Sequence, residues 1–96
     1  MSIEAAAWTF YVNGLQHPLE RLVLMSLSDH TKDEYHTCET NLKSLTKLSE
    51  QILIPLPQLL SIIDTLEDNE YLEVEREKQP DGSVIPVVIR LCAPVY

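Results

Sequence analysis

LSEQILIPLPQLLSIIDTLEDNEYLEVE, residues 48–75, spans the end of one helix, a tight connection, a second helix and the start of a strand, without a single lysine or arginine. Leu53, Ile54 and Pro55 make the connection. Pro57 then fits the first turn of a helix, where its missing N–H has no intrahelical partner to lose. Leu59, Ile62, Ile63 and Leu66 recur at helical spacing as far as about Asn69 and form the inner stripe. From residue 71 the period changes to two. Leu72, Val74 and Arg76 alternate with Glu73, Glu75 and Glu77, the pattern of a strand with one covered face. Seven carboxylates lie between Asp64 and Glu77, and Arg76 is the only cation among them.

Working outward, residues 42–52 read as the preceding helix, with Leu42, Leu45, Leu48 and Ile52 on one face. A polar stretch, 29–39, comes before it and holds a short strand over 35–38. Residues 17–29 read as another helix with Pro18 in its first turn; Leu19, Leu22, Val23 and Met25 or Leu27 cover more than one stripe, which predicts a central helix buried on two sides. Residues 3–12 suit a short helix, since Ile3, Ala6 or Ala7, and Phe10 recur at helical spacing and Asn13-Gly14 supply a stop. Trp8 and Tyr11 are placed to stack on the main body. On the other side, Pro80-Asp81-Gly82-Ser83 is a hairpin signal, and 84–91 is a β-branched strand in which Pro86 demands a sheet edge or a bulge.

Ninety-six residues suffice for one α+β domain, 1–96, with a core that needs no metal or disulfide. Its parts are an N-terminal extension (1–14), a helical core (17–70) and a terminal hairpin (71–92). Apolar residues make up 45% and there are only two glycines, so an ordinary globular chain with little linker is expected. The formal net charge of −8 repels polyanions and anionic membrane surfaces beyond the contact range and favours basic protein partners. The opening residues fit neither a signal peptide nor a membrane span, which points to the cytoplasm. Cys38 and Cys92 then read as buried thiols, with one intramolecular bridge as the alternative.

Catalytic material is scarce. There is no glycine-rich phosphate loop and no G-x-S-x-G elbow, and the carboxylates alternate on an open surface rather than converge in a cleft. His30, His36 and Cys38, with Asp29, Asp33, Glu34 and Glu39 nearby, are chemically able to hold zinc, but their spacing matches no strong zinc signature. In the plainer reading, His30 ends a helix and Cys38 packs inward. The expectation is therefore no enzyme, no catalytic residue, no metal and no cofactor.

Three helices followed by a two-stranded hairpin is the order of a winged helix-turn-helix. LVLMSLSDH (22–30), LKSLTKLSEQI (42–52) and IPLPQLLSIIDTLEDNEYLEVE (54–75) resemble the winged-helix domain of phage and plasmid replication-initiator and prophage regulatory proteins, and the opening MSIEAAAW is similar to how those chains begin. The resemblance implies a winged-helix fold of three to four helices with a two- or three-stranded wing, and it implies that residues 57–69 enter the DNA major groove. The outer positions of that helix are Gln58, Leu60, Ser61, Asp64, Thr65 and Asp68. Where the family carries arginines, this chain has Leu60, Ser61, Asp64 and Thr65, and where a glycine commonly ends the helix it has Glu70.

Two functions follow. In the first, the chain is a small acidic regulatory or accessory protein in a nucleic-acid-related process. Its Leu56, Leu60, Ser61, Asp64, Thr65 and Asp68 face meets a basic protein surface or a second copy, and an inhibitor imitating DNA's charge belongs to this class. Leu56 and Leu60 either form a small apolar spot on that face or pack on the first helix. In the second, the chain is a dimeric DNA-binding regulator or replication factor using Lys43, Lys47, Gln58, Arg76, Lys78 and Arg90, with Lys32 as a further cation. Against it stands cross-strand pairing of Arg76 or Arg90 with Glu73, Glu75 or Glu77. Trp8, Phe10 and Tyr11 either mediate the homodimer or pack within the monomer.

Overall fold

The computed structural model describes residues 3–32 and 35–93. Over those residues the chain is α+β, with four helices and a three-stranded antiparallel sheet. In chain order these are α1 (Ile3–Tyr11), α2 (Pro18–Ser28), β1 (Thr37–Glu39), α3 (Leu42–Ile52), α4 (Leu56–Asp68), β2 (Leu72–Lys78) and β3 (Val84–Leu91).

Helix α2 starts where its proline allows, with Nδ1 of His17 accepting the Leu19 N–H at 3.0 Å. It buries Glu20, Val23, Leu24, Leu27 and Ser28, which is one broad stripe at i, i+3, i+4, i+7 and i+8 rather than two sides. Leu22, expected inside, is 37% exposed. The helix is nonetheless central, touching α1, α3 and α4. Helix α3 starts at a reciprocal cap: Asn41 Oδ1 accepts the Ser44 N–H at 2.8 Å, and Ser44 Oγ accepts the Asn41 N–H at 2.9 Å. Leu45 and Leu48 then face the core while Leu42, in the first turn, stays 47% exposed. From α4, Leu59, Ile63 and Leu66 complete the helical side of the core, with Ile62 half-buried beside them.

Helices α3 and α4 end in the same way. The Ile54 N–H reaches back to Ser49 O at 3.1 Å, and the Tyr71 N–H to Leu66 O at 2.9 Å. This closure requires a left-handed residue, and Leu53 (φ 59°) and Glu70 (φ 68°) fill the position that glycine normally takes. The first brings α4 directly onto α3 and the second turns the chain into β2.

The strands lie in the order β1-β3-β2, so β3 is central and pairs antiparallel with both neighbours. Pro86 is therefore not at an edge. It is tolerated because the β2–β3 register shifts between Glu75, opposite Val88, and Arg76, opposite Pro86. By that point β1 has ended at Glu39, opposite Val88. At the hairpin, Gly82 takes φ 91° and its N–H bonds to Gln79 O at 2.9 Å, while Asp81 Oδ1 accepts the Ser83 N–H at 2.9 Å.

Helix α1 docks one position out of phase with expectation: Ala5 and Thr9 are buried and Phe10 is 60% exposed. The reason is Arg21 of α2. Its guanidinium donates to the carbonyls of Thr9, Phe10 and Val12 at 2.7, 2.8 and 3.0 Å, which caps the negative end of α1 and fixes its rotation. Tyr71 adds a second tie through its hydroxyl, which donates to Asn13 O at 2.7 Å. Gly14 (φ 93°) lies under that hydroxyl, and a Cβ there would stand 2.5 Å from Tyr71 Oη.

Candidate interaction surface

The outer face of α4 is built by exclusion. With Leu59, Ile63 and Leu66 turned inward, Ser61, Asp64, Thr65 and Asp68 are exposed. Thr65 Oγ1 donates back to Ser61 O at 3.1 Å. Leu56 and Leu60, on the flanks of the inner stripe, are half-buried and packed on the core, so they add no apolar spot to that face. The large exposed apolar residue of this region is instead Leu53, 89% exposed at the α3–α4 turn.

Arg76 decides the charge of the surface. The period-two pattern of β2 turns Arg76 to the same side as Leu72 and Val74, which is the side facing α4. There its Nη2 meets Asp64 Oδ1 at 2.8 Å, and its fork also engages Glu67, with Nη1 at 3.0 Å from Oε2 and Nη2 at 2.7 Å from Oε1. These bonds hold the Glu67 carboxyl below the ordinary glutamate range and the Arg76 guanidinium above its own. Asp64, expected on a protein-binding face, and Arg76, expected at DNA, are thus bonded to each other. The pairing expected for Arg76 along its own sheet is replaced by a strand-to-helix clamp.

Arg90 does pair across the strands, with its Nε 2.9 Å from Glu73 Oε2, and the Glu73 carboxyl is lowered by that bond. Arg76, Lys78 and Arg90, named above as candidate DNA contacts, do not gather at one edge. Lys78 lies opposite Val84 and Arg90 opposite Glu73, five strand positions or roughly 17 Å apart. On α3, Lys43 and Lys47 are exposed. Lys47 lines a cleft between α2, β1 and α3, with Lys32 and His30 on the same cleft. Gln58 faces elsewhere, sharing a shallow hollow with Thr65, His17 and Glu20 between α2 and α4.

Beyond the end of α4, Glu67, Glu70 and Glu73 surround an open depression floored by Leu72 and Val74. Glu67 and Glu73 are not singled out as site residues by the sequence, although Glu67 follows Asp64 by three positions, a spacing that puts both on one helix face. Among the described residues no group of three His, Cys, Asp or Glu is arranged to hold a metal ion, and Asp33 and Glu34 lie outside those residues. Cys38 and Cys92 are free thiols rather than a bridge, and burial pushes the pKa of both up, Cys38 being the more hidden.

At the N-terminal side, Trp8 is half-buried in a tilted contact with Tyr71 (ring centroids 6.5 Å apart), so it packs within the monomer. Phe10 and Tyr11 remain 60% and 80% exposed, and Tyr11 does not stack on the body. No helix among the described residues is long and apolar enough to cross a membrane. No protein-family model, curated protein or solved structure matches the chain.

Proposed function

We propose that this chain is a winged helix-turn-helix domain of the kind found in phage and plasmid replication initiators and prophage regulators, acting inside the cell as a non-catalytic interaction module. Its acidic α4 face and the adjoining carboxylate depression engage a basic protein surface. The scaffold part of the reading is supported by the element order from α2 to β3 and by a sheet ordered β1-β3-β2. The observation that carries the functional part is the Arg76 clamp. The one cation within the acidic segment is bonded to Asp64 and Glu67 and leaves α4 with no positive side chain to meet a phosphate. Around it, Asp68 and Glu70 stay exposed for a partner's lysines or arginines. An inhibitor that imitates the charge of DNA falls within this class.

The probe is a fluorescently labelled lysine-rich peptide at low salt. Asp64→Lys combined with Asp68→Lys is expected to weaken its binding at least about tenfold, since steering and contact both depend on local charge. Unchanged affinity in that variant would remove the α4 face from the account.

One observation favours a second reading, a DNA-binding factor. Lys32 and Lys47 line the same cleft, and Lys43 is exposed on the same helix as Lys47. Under it the protein would work as a dimer through Phe10 and Tyr11, and duplex affinity would fall steeply with salt.

A further inference from the structure

We propose that Leu53, at the α3–α4 turn, is the apolar anchor with which this chain enters a nonpolar socket bordered by lysine or arginine on its protein partner. Two independent observations meet at this residue. It is 89% exposed, more than any other large hydrophobic residue described. It also holds φ 59°, ψ 36°, a conformation that crowds the Cβ of any L side chain and that glycine adopts freely. A leucine here gains nothing for the fold: it buries almost no surface, strains the backbone, and displaces the residue that the helix closure favours. Exposed Pro55 and Pro57 flank it, while Ile52 and Leu56 turn to the core. The connection is also rigid. The Ile54 N–H is tied to Ser49 O, Ile54 is 3% exposed, and Pro55 and Pro57 restrict the backbone that follows, so the leucine is presented in one orientation at low entropic cost.

Charge names the occupant. Residues 48–75 contain no lysine or arginine, and exposed Glu50 lies one helical turn before the knob while Asp68 lies at the far end of α4. A socket rimmed by carboxylates, including that of a second copy of this acidic chain, would be repelled. One rimmed by cations would be drawn in. The anchor rests on the proposed acidic interaction surface and adds to it an apolar contact at the N-terminal end of α4.

Leu53→Gly separates the anchor from the fold, because it removes the knob while relieving the backbone. The probes are two labelled helical peptides of equal positive charge, one with leucines along a single face between its lysines and one with serines in their place. Wild type is expected to prefer the leucine peptide. Leu53→Gly is expected to lose at least about tenfold of that affinity, the scale of one leucine side chain removed from a buried site, while its Tm rises by roughly 4 °C or more. Leu53→Met should keep the affinity. Equal affinity of Leu53→Gly and wild type for the leucine peptide overturns the anchor, as does equal binding of the two peptides by wild type. Sedimentation showing a wild-type dimer that Leu53→Gly dissociates overturns the assignment of a basic partner. If both peptides bind alike and Asp64→Lys with Asp68→Lys abolishes binding, the acidic-surface reading stands and the anchor alone falls. If neither peptide binds, both fall.

Discussion

Arg76 occupies a strand position that alternation assigns to the covered side, but its guanidinium cannot be buried alone, and Glu67 and Asp64 of α4 lie within reach. With 29% of the Arg76 side chain exposed and 62% of that of Asp64, water screens the clamp, and Arg76→Ala is expected to cost about 0.5 to 1 kcal/mol by urea denaturation at neutral pH. The sign with pH follows from Glu67. Its carboxyl is held below the ordinary value of 4.5 by the hydrogen bond from Arg76, so the folded state favours the ionised form. The stabilisation is complete above that value and is lost as pH falls through the lower, folded-state value. Wild type and Arg76→Ala should therefore differ in stability at about pH 6 and converge toward about pH 3; a difference that persists unchanged in acid would mean that the clamp is not what the variant removes.

Among the elements, α1 packs on α2 through buried Ala5 and Thr9 and is tied down at its end. Arg21 bonds the carbonyls of Thr9, Phe10 and the following Val12, and Trp8 makes a ring contact with Tyr71. Arg21→Ala leaves those carbonyls without their charged donor and is expected to cost about 1.5 to 3 kcal/mol. Its effect should be local: hydrogen exchange at residues 5–12 should accelerate while the amides of α4 stay protected. Equal acceleration throughout would show α1 to be inseparable from the core. The same element marks the limit of what could be read from the chain. The α3 boundaries, β3 and the hairpin turn were legible, because Leu45 and Leu48, the β-branched run and Gly82 are each dictated by local periodicity or backbone conformation. The rotation of α1 was not, since a run of alanines defines no strong stripe and the deciding group is an arginine twelve residues from Thr9. The strand-to-helix clamp was hidden for the same reason: alternation placed Arg76 on a face, but only the packing of α4 on β2 says which carboxylates it meets. The left-handed turn at Leu53 was not legible, since no glycine marks it.

Across the whole molecule the charge is uneven. The formal net charge is −8, and the α4–β2 side combines exposed carboxylates with an arginine already engaged, whereas Lys32 and Lys47 share a cleft on the side of α3. A duplex approaching α4 meets repulsion, screened beyond about 8 Å at physiological ionic strength and unscreened at contact. A duplex approaching α3 meets a few separated lysines, fewer than the 6 to 10 phosphate contacts that make binding strongly salt-dependent. The most direct test of an acidic module that avoids DNA is fluorescence anisotropy of the full chain with a labelled duplex of random sequence at low salt, where even weak non-specific binders respond. The account predicts no change in anisotropy up to protein concentrations of about 100 μM, the range of non-specific dissociation constants. A saturable rise that collapses with added salt would contradict it and return the function to DNA.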